Sequence, residues 1–345
     1  MRLSMNLPYA GGFKEAVQKV ADLERAGLDV VWIGEAYSFD SISQMGYLAA
    51  KTDTVQIGAG IVNVFSRTAA LVAMTFAGLD YVSDGRAICG LGASGPQVVE
   101  GFHGVPYQKP LTRIREYIDV CRTVWKREPL VYDGETVKVP VPEGEGTGLG
   151  KPLKIVNHPV RSAIPIWWAS LTNKAVQATA EVADGWLPIM FIPERAAAVW
   201  GDDLKAGLAK RAPDLGPLEI AAGGILAIGE DLVGPEADRI RDLGRAQTAL
   251  YVGGMGARGK NFYNDLFVQY GYEAEAREIQ ELFLGGHQRE AVAKVPDAFV
   301  DEVALVGTVE RIRDRLAAWR ESGATSLLVS TRDVATLRGV AEAAS

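Results

Sequence analysis

Short apolar runs recur along this sequence, and the residues that close them are glycines, alanines and small polar groups. They are Asn6 and Pro8, Gly34 and Glu35, Gly60 to Asn63, Gly92 to Gly95, Ala169 and Ser170, and Ile189 and Met190. Backbone without bulky side chains lets a flat ring system lie close and be hydrogen-bonded by main-chain groups, so a planar cofactor is the chemistry this set suits. Any one of these glycines is equally well explained by an ordinary turn; only the set argues for a site. Competing chemistries lack their frames. A nucleophile elbow needs Gly-x-Ser-x-Gly, whereas Ser94 stands in Ala93-Ser94-Gly95. The stretch GLGASGPQ has no third glycine at the spacing of a dinucleotide fingerprint. His103, His158 and His287 are far apart and show no ligand spacing, so no metal is assigned. Cys89 and Cys121 read as buried thiols.

The elements that would position these residues alternate in type. Residues 2–6 read as a strand and 13–26 as a helix whose apolar positions Val17, Val20, Ala21 and Leu23 keep helical spacing until Gly27. Strands follow at 28–34, 54–61 and 86–92, separated by helices at 41–51 and 69–82. After a helix at 111–127 the chain turns Gly- and Pro-rich, an insertion at about 129–160. The rhythm resumes with strands at 164–170, 184–190, 218–228 and 324–330, and helices at 173–183, 194–211 and 308–322. A second, helical insertion is expected over 234–300. Eight strands, each tied to a helix, predict one (β/α)8 TIM barrel spanning 1–345, with its active site at the C-terminal ends of the strands.

Composition narrows the function. With 345 residues, 48% hydrophobic and 23% charged, the chain can bury a large core. A formal charge of -7 and the absence of a Lys/Arg stripe argue against nucleic acid as a partner. No run approaches the ~20 apolar residues of a membrane span, and the N-terminus lacks the apolar core of a signal peptide, so a cytoplasmic protein with a small-molecule substrate is expected.

Several long blocks in order carry a resemblance. VWIGEAYSFDS (31–41), GAGIVNVFSRTA (58–69), GLGASGPQVVEGFHG (90–104), AEVADGWLP (180–188), YVGGMGARGKNFYNDL (251–266) and DEVALVGTVERIRDRL (301–316) make the chain similar to the bacterial-luciferase-like oxidoreductases. Within them it resembles the actinobacterial, methylenetetrahydromethanopterin reductase-like branch. The resemblance implies an insertion-bearing barrel, a homodimer or larger oligomer, and coenzyme F420 as hydride carrier for an organic acceptor. Sister branches use FMN, so an FMN-dependent monooxygenase is the alternative, and a non-catalytic cofactor-binding barrel a second. A cis peptide at Gly60-Ile61, backing the central ring of the deazaflavin, is also implied.

Relatives often carry Asp-His at the end of the second strand, the histidine being catalytic. The matching residues here are Glu35 and Ala36. Three roles are open to Glu35: the catalytic acid itself, a cofactor ligand, or a cap on the following helix. A deazaflavin with a phosphodiester and oligoglutamate tail needs backbone N–H groups and cations. The cofactor-binding candidates are Gly60, Ile61, Asn63, Arg67, Gly92, Ser94, Gly95, Ser170, Thr172, Asn173 and Lys174. Arg113, Arg258 and Lys260 are candidates to receive the glutamates.

Overall fold

The computed structural model describes residues 1–7, 12–224, 226–228, 234–331 and 333–344. Pro8, read as part of the first strand's end, lies outside the described residues. Eight strands form the barrel: β1 (Arg2–Leu7), β2 (Val30–Ile33), β3 (Gln56–Ala59), β4 (Ala87–Gly92), β5 (Ile166–Trp168), β6 (Gly185–Trp186), β7 (Glu219–Gly223) and β8 (Ser326–Val329). Each pairs in parallel with the next, and β8 returns to β1 through Met5 opposite Val329, so the sheet closes on itself. This is the (β/α)8 TIM barrel that the alternation of elements predicts.

Alternate residues of each strand face the helices and the barrel interior. Leu3, Met5 and Leu7 join the outer core, where they meet Val17, Val20 and Leu23 of the helix Phe13–Arg25. The interior is filled by Val30, Trp32, Ile88, Trp167 and Ala221, with Leu187 and Leu328 packed against them. Trp32 and Trp167 dominate this plug, their rings 5.1 Å apart. Two glycines make room for them. A Cβ on Gly58 would lie 2.3 Å from the Trp32 ring, and one on Gly185 would lie 2.1 Å from the Trp167 ring. The N-terminal end is closed by Arg2, which donates to Glu219 at 3.0 Å and to Gln56.

The first insertion contains an antiparallel pair, Tyr132–Asp133 with Lys138–Val139. Its turn is anchored by Glu116, whose carboxylate accepts from the backbone N–H groups of Glu135, Thr136 and Val137 at 2.6, 2.9 and 2.8 Å. The second insertion leaves the C-terminal end of β7 and is largely helical, from Pro235 to Val303. One strand expectation needs correction. Residues 218–228 read as a single strand, but Leu226–Ile228 leaves the barrel and pairs with Leu305–Gly307. The break falls at Gly223 and Gly224, where Cβ atoms would lie 2.1 Å from the Leu328 oxygen and 2.4 Å from the Val303 oxygen. Among the described residues no helix is long and apolar enough to cross a membrane.

Candidate active site

The C-terminal mouth of the barrel is ringed by Asn6, Gly60, Ala169, Leu187 and Ser330, above the Trp32–Trp167 plug. Asn6, near the end of β1, and Gly60, just past β3, are exposed there although the strands are mostly buried. The Gly60-Ile61 peptide is cis. Ile61 fills the space beside Gly92, where a Cβ would lie 2.6 Å from its side chain. Next along the chain, Asn63 pairs in register with Gly92 and is buried. Its Oδ1 accepts from the Phe65 N–H at 2.9 Å, while its Nδ2 donor is buried without a partner among the described residues. A buried unsatisfied donor is costly, so one beside a backbone-lined mouth marks a place for a ligand acceptor.

Glu35 stands at the end of β2, where the sequence allowed three roles. Its carboxylate accepts from both guanidinium nitrogens of Arg67, at 2.6 and 2.9 Å. It also accepts from the N–H and hydroxyl of Ser41, at 3.0 and 2.9 Å, at the start of the helix Ser41–Ala49. Burial pushes the Glu35 carboxyl up, but the Arg67 guanidinium and the Ser41 donors outweigh it and hold the carboxyl below its ordinary value. A general acid needs the opposite shift, so the electrostatics here oppose the catalytic role. The helix is capped by Asp40, which accepts from the Ser43 N–H at 2.9 Å, and Glu35 supports its first turn through Ser41. Arg67 in turn binds Asp40, and its bond to Glu35 raises its own pKa. Two carboxylates thus occupy the guanidinium that the sequence offered to a phosphate.

Behind this ion triad lies an aromatic wall. Tyr117 donates to the Arg67 carbonyl at 2.6 Å, and Arg113 lies over the Phe65 ring at 4.8 Å. Phe65 stacks on Tyr107 at 5.1 Å, and Tyr107 donates to the Ser94 carbonyl at 3.3 Å. Burial pushes the Tyr107 hydroxyl up to about 12, so it remains a neutral donor. Ser94 has a left-handed backbone, and Gly95 precedes the short helix Pro96–Gly101.

The β5 candidates divide. Ser170 is buried, its hydroxyl 2.8 Å from that of Thr179 and its carbonyl accepting from the Trp186 indole at 2.9 Å. Thr172, Asn173 and Lys174 are exposed at the start of the helix Asn173–Val182, where Thr172 makes no side-chain cap bond. Arg258 and Lys260 are exposed on a turn after the π-helical Leu250–Gly254. Among the described residues no group of three or more His, Cys, Asp or Glu side chains could hold a metal ion.

A cleft of about 250 Å³ opens beside the triad, walled by Ala36, Ser38 and Ser66 on one side and by Phe102 and His103 on the other. His103 was missed as a site residue because the sequence shows only its lack of metal-ligand spacing. The available signal was its place just beyond the helix that follows β4, on the strand-end side of the barrel.

A sequence model of the luciferase-like monooxygenases matches residues 1–326. The chain belongs to the luciferase-like monooxygenase family. It is 37% identical, over 99% of its length and 98% of the relative's, to a Mycobacterium tuberculosis protein named provisionally as a coenzyme F420-dependent oxidoreductase. It is 27% identical to the 5,10-methylenetetrahydromethanopterin reductase of Archaeoglobus fulgidus, covering 89% of this chain and 86% of that one. The fold of this luciferase-like chain superposes on the F420-dependent tetrahydromethanopterin reductase of Methanopyrus kandleri with a TM-score of 0.80, at 19% identity, covering 98% and 96% of the two chains.

Proposed function

We propose that this chain is an oxidoreductase that binds coenzyme F420 at the barrel mouth and transfers a hydride between the reduced deazaflavin and a small organic acceptor. One observation carries the reading: the exposed Gly60 of the cis Gly60-Ile61 peptide, with Ile61 packed on Gly92, adjoins a buried Asn63 Nδ2 donor without a partner among the described residues. These residues fit a planar ring bearing hydrogen-bond acceptors. The name of the relative from Mycobacterium tuberculosis supports a deazaflavin over FMN. When bound, the cofactor supplies the hydride chemistry, and the protein supplies position and electrostatics.

The chain's own residues have separable tasks. Trp32 and Trp167 seal the barrel beneath the mouth against water. Gly60 and Ile61 offer a flat face, and Asn63 Nδ2 fixes orientation. The backbone of Ser94 and Gly95 and the open helix start at Thr172, Asn173 and Lys174 suit the phosphodiester. Glu35 and Arg67 hold the loop after β2 against the bulge after β3 and transfer no proton.

The deciding experiment is an absorbance titration of the purified protein with F420 and, separately, with FMN. Saturable F420 binding, weakened about tenfold by Asn63→Asp through loss of one donor, is the expected result. FMN binding more tightly than F420 would replace this reading with the flavin-dependent one.

A further inference from the structure

The cleft beside the mouth has a composition that cofactor binding does not explain. Its β2 side ends at Ala36, which has no polar group to offer a substrate. Its opposite side is His103, carried on the loop after the helix Pro96–Gly101. The three imidazoles of the chain differ in their surroundings. His158 lies within 2.8 Å of Arg127, and His287 within 3.1 Å of Glu290, both exposed. Neither ring nitrogen of His103 has a hydrogen-bond partner among the described residues, and the half-buried ring stands edge-on to Phe102 at 5.3 Å.

The cleft's other charged groups are Glu35, Asp40 and Arg67, facing His103 from the loops after β2 and β3. Burial pushes the two carboxyls up, but their hydrogen bonds and Arg67 hold both below their ordinary values, and the bond to Glu35 raises Arg67. All three therefore keep their charge through the neutral range. On His103's own segment, Glu100 is taken up by the Tyr107 N–H at 3.1 Å. An imidazole is the one side chain of this set whose type changes charge near neutral pH. Beside it the cleft is lined by Phe102, 66% exposed, whose ring centroid lies 6.3 Å from that of the neighbouring Tyr37, while Ser38 and Ser66 line the facing side.

We propose that this cleft is the acceptor site and that His103 is the proton donor, serving a small, flat molecule with a conjugated carbonyl. The inference rests on the hydride-transfer reading above. In the reduction, the acceptor's π bond breaks. Carbon gains a hydride with its electron pair from the reduced deazaflavin, and the other end of the conjugated system gains the proton of the His103 imidazolium. The cofactor is left oxidised and the imidazole neutral, and solvent returns the proton through the open cleft.

The test uses the full chain and sodium benzoate, a flat ring with an oxyanion that stays charged across the neutral range. Calorimetry should show binding about tenfold tighter near pH 5.5 than near pH 8, because a charged imidazole donates the stronger hydrogen bond. His103→Gln should abolish that pH dependence, whereas His158→Gln and His287→Gln should keep it. In spectra of histidine-labelled protein, the signal missing from the His103→Gln variant should be the one that moves with benzoate. With F420 loaded, oxidation of the reduced cofactor by 2-cyclohexen-1-one should slow about 100-fold in His103→Gln at unchanged F420 affinity. No benzoate binding, unchanged pH dependence in His103→Gln, or an equal rate in that variant overturns the proposal. Wild-type protein that takes F420 but never reduces the enone overturns the acceptor class. Benzoate binding as described without any F420 binding overturns the hydride-transfer reading and leaves the cleft assignment standing.

Discussion

Arg67 places both terminal nitrogens of its guanidinium on the carboxylate of Glu35, at 2.6 and 2.9 Å, tying the end of β2 to the bulge after β3. The Glu35 side chain is 8% exposed and that of Arg67 14%, so water screens the pair little. Removing one charge leaves the other partly buried, and Asp40 compensates in part.

Glu35→Gln is therefore expected to act on stability before chemistry. Loss of the charged hydrogen bonds should cost about 2 kcal/mol in urea unfolding. Because folding lowers the Glu35 pKa, the stabilisation is full above the unfolded-state pKa and is lost as pH falls through the folded-state pKa. The variant should thus be less stable at neutral pH and lose stability less steeply on acidification. A variant as stable as the wild type at pH 7, with a slower turnover, would return the acid role to Glu35.

The Trp32–Trp167 plug makes a second expectation quantitative. Gly58→Ala drives a methyl to 2.3 Å from the Trp32 ring, deep in a closed barrel where the ring has no free space to enter. Overpacking of this kind costs about 2 to 3 kcal/mol. Gly185→Ala, against Trp167, should cost a similar amount. Thermal denaturation checks both, and a wild-type midpoint for either variant would show that the plug can repack.

How far the sequence carried can be judged from particular elements. The helix at 69–82 was legible to the residue, since Thr68 caps it through the Leu71 N–H at 3.2 Å and its fourteen residues are mostly apolar. The barrel followed from alternation and count, both of which are local properties. The split of 218–228 was not legible, because the competing partner, Leu305–Gly307, lies far along the chain. At the site, the cis peptide expected at Gly60-Ile61 is present, and Gly60, Ile61, Asn63 and Gly92 come together, since strand-end positions converge by topology. Arg67 and Ser170 looked available in sequence only because Asp40, Glu35, Thr179 and Trp186 could not be seen as their partners. His103 needed the β2 loop to meet the segment after β4, a contact no periodicity encodes.

The helix Ala69–Val82 also presents an uncovered apolar face, with Leu71 46%, Met74 54% and Tyr81 69% exposed. A helix apolar on all sides is normally buried, so we propose that a second copy of the chain covers this face. Leu71→Glu, placed on the helix surface away from the barrel, should shift sedimentation from dimer to monomer with the fold retained by circular dichroism. A wild-type monomer at micromolar concentration would rule the interface out.

With Arg67 held by two carboxylates and Arg113 over the Phe65 ring, the exposed cations Lys174, Arg258 and Lys260 are the candidates left to attract an anionic cofactor tail. Exposed pairs contribute little each, about 0.5 kcal/mol, and depend on ionic strength, because the screening length falls from about 10 Å at 0.1 M salt to about 3 Å at 1 M. Three such contacts together amount to about tenfold in affinity. F420 affinity should therefore fall by about that factor between low and high salt. The deazaflavin stripped of its phosphodiester and glutamates should bind more weakly and show almost no salt dependence. Replacing Arg258 and Lys260 together with Gln should flatten the dependence for F420, while Arg67→Lys should instead lower stability, since its fork geometry serves Glu35 and Asp40. Full salt dependence after Arg258 and Lys260 are replaced, with Lys174 intact, would move the tail site to the helix start after β5.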